Sequence, residues 1–288
     1  MLPGVFASWG RVTADYNVGT NWQLPEWRRA LSDKYREAIY PQETVLYKGI
    51  RGHYHRLLKS VVREASSPNK GDKKNYRAID LTQIALTQAD IDAILAILND
   101  DNLAAAVEDT IKASYEAAYS TGLNNSSSLA IISPAGVQLQ KQRLPELSDN
   151  FYAARVPAWN LIGDTLKEAI RDTLVEAYEK GENLSDAITR VKSTFRGTVS
   201  TARSRVIART ETGITSSQAQ IESYKTVGVN QVEWLSANDS NVRPSHQIDG
   251  EVQPVGSVFS NGLRRPLDDQ GSPANVINCR CSLLPVAN

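Results

Sequence analysis

Eight prolines and glycines between Pro244 and Pro273 set the strongest limit on what this chain can fold into: Pro244, Gly250, Pro254, Gly256, Gly262, Pro266, Gly271 and Pro273. Proline lacks the N–H that a helix interior or a central strand needs, and glycine weakens both elements. A segment punctuated this often holds turns and short strands, not helices of ordinary length. Just before it, Val232–Leu235 is strand-like. Just upstream, Val199, Ala202, Val206, Ile214, Ser217, Ile221 and Tyr224 form a helical stripe that ends at Gly228. The fold class that follows is α+β: mostly helical N-terminal and middle regions, closed by a small turn-rich α+β C-terminal module.

The upstream chain has three textures. Residues 1–42 read as an extended arm that carries Trp9, Trp22 and Trp27, with a helix over Trp22–Tyr40 closed by Pro41. Aromatic side chains on an arm without its own core are candidates for docking, on a partner or on the chain's own body. Residues 43–147 read as a helical region followed by a connector over 129–147, where Pro134, Gly136 and Pro145 fall. In this region Thr87 is an N-cap followed by Asp90 in the first helical turn, Asn99–Asn102 is a break, Gly122 is a C-cap and Asn124–Ser128 is a polar loop. Residues 148–288 carry the stripe Trp159, Ile162, Leu166, Ile170, Leu174 and Tyr178, a short helix over Leu184–Phe195, and the final module, whose core is 199–286.

The chain has 32 basic and 32 acidic residues in 288, so its net charge is zero. The zero conceals a separation. Lys48–Arg77 holds nine basic and two acidic residues, for +7, while Asp80–Glu116 holds eight acidic and one basic, for −7. In the basic segment Leu46, Ile50, Tyr54, Leu57 and Val61 share one helical face. Lys48, Arg51, His55, Lys59 and Arg63 share another. Two readings stay open: the cations contact phosphate, releasing counterions, or they form a solvated face that pairs with the acidic segment. The DNA-contact candidates are Lys48, Arg51, Lys59 and Arg63. Gly49 and Gly52 within the same helix suggest close packing or a bend. No apolar run approaches the roughly 20 residues of a membrane helix, and two cysteines do not make a disulfide framework.

The unusual chemistry is concentrated at the end. Ala208-Arg209-Thr210-Glu211-Thr212 lies on the last helix, with Arg209 on the side of Val206 and Ile214, so its charge requires a partner. Asp239, Arg243, His246 and Asp249-Gly250 follow, then Asn278-Cys279-Arg280-Cys281. Cys279, Cys281 and His246, with Asp239 or Asp249, are types that bind zinc tetrahedrally. In an extended strand Cys-x-Cys points its sulfurs to opposite faces, so one ion can be shared only from a turn. The alternative is two small buried thiols and a histidine bonded to a carboxylate. A nucleophilic Cys–His pair is a third reading, unsupported by any accompanying catalytic motif, and no catalytic residue is assigned.

In their order, Ile207-Ala208-Arg209-Thr210-Glu211-Thr212, Asp239, Arg243, His246, Asp249-Gly250, Phe259-Ser260-Asn261-Gly262 and Asn278-Cys279-Arg280-Cys281 resemble the phage Mu F-like minor head proteins, or head morphogenesis proteins. The resemblance covers about residues 199–286. Arg209, Thr210, Glu211, Arg243, Asp249 and Asn278 fall on its motif. It implies a non-enzymatic virion component of a tailed double-stranded DNA phage, located at the capsid interior near the portal and in the host cytoplasm during assembly. Its implied partners are the portal protein, the major capsid protein and packaged DNA, with no membrane, and its implied roles are head assembly and DNA packaging or delivery. It further implies metal, namely zinc, at His246, Cys279 and Cys281. Arg265 stands before Pro266 where relatives often carry an aromatic residue. The competing expectation is a metal- or cysteine-dependent hydrolase carried in the virion.

Overall fold

The computed structural model describes residues 26–66, 81–128 and 132–286, with side chains described throughout except at 26–36, 38–39 and 125–128. Trp9 and Trp22 lie outside the described residues, as does the side chain of Trp27. The elements in order are α1 (Glu26–Ala65), α2 (Gln88–Asn99), α3 (Leu103–Ser128), α4 (Pro134–Lys141), α5 (Leu144–Glu179), α6 (Leu184–Thr198), α7 (Thr201–Thr226), β1 (Gln231–Leu235), β2 (Val252–Pro254), α8 (Pro273–Val276) and β3 (Ser282–Val286). The mostly helical chain with a small α+β end is the class the sequence implies. No described helix is long and apolar enough to cross a membrane.

The residues group into two compact units, and the division does not follow linear order. Unit 1 draws on Met1–Leu46, Asp109–Tyr152 and Val206–Asn288, and unit 2 on Tyr47–Glu108 and Ala153–Arg205.

In unit 2, α1 buries Ile50, Tyr54, Leu57 and Val61, the face the periodicity assigns to the interior. Val61 and Ala65 meet Ile94 of α2, Leu174 of α5 and Ile188 and Val191 of α6 around a cavity of only about 10 Å³, so the packing there is close. Thr87 caps α2 in a reciprocal box: its hydroxyl accepts the Asp90 N–H, and the Asp90 carboxylate accepts the Thr87 N–H. Asn102 accepts the Ala105 N–H, which starts α3. Along α5 the buried positions are Trp159, Leu166, Ile170, Leu174 and Ala177, whereas Tyr178 is exposed.

Several local expectations are overturned. Pro41 does not close a helix, because α1 runs through it. Both Pro41 and Glu37, whose carbonyl loses a partner there, are exposed to water. Gly49 has nothing within 4 Å of a Cβ position, so close packing does not account for it. The connector over 129–147 contains α4 and the start of α5. Pro134 follows the capping Ser133, and Pro145 is in the first turn of α5, where an absent N–H costs nothing. Gly122 and Asn124–Ser128 lie within α3.

Unit 1 is built around α7. One side of that helix packs Ile214, Ile221 and Tyr224 against Val232 and Trp234 of β1, Phe259, Leu263, Leu267, Val276, both cysteines and Leu283. Another side packs Ala219 against Tyr115, Ala118, Tyr119 and Leu123 of α3 with Val137 and Leu144. The sheet is antiparallel in the order β2-β1-β3, with Val232 opposite Gln253 on one side and Pro285 on the other. Gly122 has a steric reason. A Cβ there would lie 1.8 Å from Ser223 Oγ and 2.9 Å from Ser223 Cβ. Gly122→Ala is therefore expected to destabilise by about 2 kcal/mol through overpacking, despite alanine's better helix propensity. Adding Ser223→Gly should restore part of the loss of urea midpoint. An unchanged midpoint in the single variant would show that the α3–α7 contact yields freely.

Candidate metal centre

The turn that presents the two cysteines is held from several sides. Asn278 adopts φ 64°, a left-handed conformation that asparagine tolerates better than most residues. Its N–H donates to Thr210 Oγ1 at 3.0 Å, and its Oδ1 accepts from Arg209 Nη1 at 2.8 Å. Arg209 also pairs with Glu43 at 3.2 Å, so the cation on the helix has the partner its position demands. Arg243 Nη2 donates to the Ile277 carbonyl at 2.5 Å. Arg209, Thr210, Arg243 and Asn278 thus converge on one turn immediately before Cys279.

His246 arrives from the other side. It ends a short 3-10 turn, Pro244–His246, and its N–H donates to the Arg243 carbonyl. Trp234 Nε1 donates to the His246 carbonyl at 3.1 Å, and the indole meets the imidazole edge-on with centroids 5.4 Å apart. Phe259 meets the same indole at 5.2 Å. Asp249 accepts the Ser236 N–H at 2.6 Å, which ties the chain after His246 to the end of β1. Glu211 is buried on α7.

The outcome is a closed cluster. His246 Nδ1 lies 3.5 Å from Cys279 Sγ and 3.7 Å from Cys281 Sγ. The three residues are 1%, 4% and 6% exposed, and both cysteines are free thiols. The condition set by Cys-x-Cys spacing is met, because both residues precede β3 in the chain after the Asn278 turn. Cys281 N–H points to Cys279 Sγ at 3.5 Å. The hydrogen bond from Cys281 and then that from His246 draw the Cys279 thiol down to about 5, while the bond to Cys279 and burial push the Cys281 thiol up. One sulfur of the pair is thereby favoured as thiolate, the form that binds metal.

These residues fit a metal ion. Their ligand atoms all lie within 4.8 Å of one another. Bonds of about 2.3 Å to sulfur and about 2.0 Å to nitrogen at tetrahedral angles place S and N about 3.5 Å apart, close to the separations observed. His246 Nε2 is buried without a hydrogen-bond partner. The distances to the two sulfurs make Nδ1 the nitrogen aimed at them.

Asp239 does not join the cluster. Its Oδ2 accepts from Arg280 at 2.6 Å and its Oδ1 accepts the Asn241 N–H, so the neighbouring cation and its own turn occupy the carboxylate. Arg265, which precedes Pro266, is buried and bonded to the Leu267 carbonyl and to Asp269. Glu43 was not anticipated, and no sequence signal connects it to Arg209. The DNA-contact candidates Lys48, Arg51, Lys59 and Arg63 are all exposed on α1, and none of them is among the residues that build this site.

Residues 168–284 match the family model described as Phage Mu protein F like protein. This part of the chain is similar to that family. The match begins within α5, upstream of the motif-bearing segment 199–286. No curated protein and no solved structure gives a match to the chain. Within the matched region Arg209, Thr210, Arg243, Asp249 and Asn278 fix the backbone that brings His246, Cys279 and Cys281 together.

Proposed function

We propose that the protein is a minor head protein of a tailed double-stranded DNA phage, associated with the portal at the capsid interior and acting in head assembly and in DNA packaging or delivery. The observation that carries this reading is the Mu F-like match over residues 168–284, which supports phage head morphogenesis. Portal protein is the principal partner, the major capsid protein a second, and packaged DNA a third, contacted through Lys48, Arg51, Lys59 and Arg63.

In the same reading the ion at His246, Cys279 and Cys281 is zinc, which suits a donor set of two sulfurs and one imidazole. Its contribution is folding energy for a module with a small core of its own. The burial of both sulfurs and the engagement of Asp239 by Arg280 favour that role over a hydrolytic one. A cysteine nucleophile must reach its substrate, and these two are enclosed.

The test is fractionation of infected or induced cells. The protein is expected in purified procapsids and virions at low copy number, and in pull-downs with portal protein. Its absence from both particles would overturn the proposal.

A further inference from the structure

Six cations of unit 2 are exposed on two helices: Lys48, Arg51, Arg56 and Lys59 on α1, and Arg203 and Arg205 at the start of α7. Two contacts set the helices side by side there. Arg51 Nη1 donates to Thr201 Oγ1 at 2.9 Å, and the Arg205 guanidinium lies 5.5 Å from the centroid of the Tyr47 ring. A hydroxyl and an aromatic face orient a guanidinium without neutralising it. None of the six cations forms an ion pair with a carboxylate among the described residues.

Elsewhere in the unit, cations do find acids. Arg190 binds Glu176 and Glu182, Lys167 binds Asp164, and Lys180 binds Glu176. The acidic segment meets α1 through Asp101, whose carboxylate lies 2.9 Å from His53 Nε2 with both side chains mostly buried. That contact leaves the six cations uncompensated, so pairing with the neighbouring acidic segment does not account for them.

We propose that α1 and the opening of α7 form one surface for the phosphate backbone of double-stranded DNA, with Arg203 and Arg205 in contact alongside Lys48 and Lys59. The proposal rests on the DNA-contact reading of α1 and extends it to a second helix. Lys48 to Lys59 spans about 16 Å at 1.5 Å per residue, the length of about five base pairs. The second row of cations gives the surface width. Two rows of cations suit a duplex, which has two rows of phosphates, better than a single acidic peptide. Exposed Lys and Arg side chains of this kind read charge and not sequence.

The experiment measures binding of the full chain to a 24-base-pair duplex over a range of salt concentrations. Three double variants are compared: R203Q/R205Q, K48Q/K59Q and, as a charge-matched control on the other unit, K141Q/R143Q. Circular dichroism and melting temperature confirm that each is folded. Each phosphate contact adds about 0.9 to the slope of log K against log salt. R203Q/R205Q and K48Q/K59Q are each expected to reduce the slope by about 2, and K141Q/R143Q to leave it unchanged. If K48Q/K59Q reduces the slope and R203Q/R205Q does not, the extension to α7 is overturned while the α1 reading stands. If neither reduces it, both fall. Equal affinity for polyglutamate of matched charge would overturn the assignment to nucleic acid.

Discussion

Trp234→Ala is expected to destabilise unit 1 by about 4 kcal/mol, the range for removing a fully buried aromatic from a packed core. Trp234 is 0% exposed, lies in the central strand and belongs to the core formed with Ile214, Ile221 and Tyr224 of α7. Two effects add to the cavity. The His246 carbonyl loses its indole donor, and the edge-on contact that fixes the imidazole disappears. A thermal melt should show the unit 1 transition lowered by about 10 °C. Trp234→Phe keeps an aromatic surface but not the N–H, so its loss should be smaller. It should nevertheless reduce metal uptake, because the support of His246 is weakened. If Trp234→Ala leaves both stability and metal content unchanged, the indole does not position His246.

Chelation is the second large effect. Purified protein is expected to contain about one equivalent of zinc by elemental analysis, and prolonged treatment with a strong chelator should remove it. A ligand that binds only the folded state at 1,000 times its Kd contributes about 4 kcal/mol, so the melting temperature of the C-terminal module should drop sharply on removal. The variant C279A/C281A should melt at the chelated temperature and be insensitive to chelator. The opposing possibility, two small buried thiols, makes a different prediction: wild-type protein would contain no metal and chelator would have no effect. That result would remove zinc from the proposed function without touching the fold.

Parts of this were legible in the chain alone, and physics explains which parts. The face of α1 formed by Leu46, Ile50, Tyr54, Leu57 and Val61 is buried at all five positions because a helix with one covered side has a clear period. α7 gives only part of such a signal: Ile214, Ser217, Ile221 and Tyr224 of its stripe are buried, but the stripe marks one covered side alone. The helix is covered on two sides, so Ser216, Ala219 and Ser223 are buried as deeply as Ile214 and Ile221. Prolines at 134 and 145 were read as loop formers, yet each sits where a helix begins. Gly122 was read as a stop, yet its purpose is the approach of Ser223. The residue types of the metal centre were readable, as was the need for a turn. The geometry was not, because it depends on contacts such as Arg209 to Asn278, between positions 69 residues apart.

The sheet has a further consequence. Each outer strand carries a proline, Pro254 in β2 and Pro285 in β3, while β1 between them has none. At those positions the open margins have no N–H to offer an incoming strand. An unguarded margin would be a template for pairing with another chain's backbone. The two prolines therefore leave this module to meet other chains through its side chains and not through its backbone.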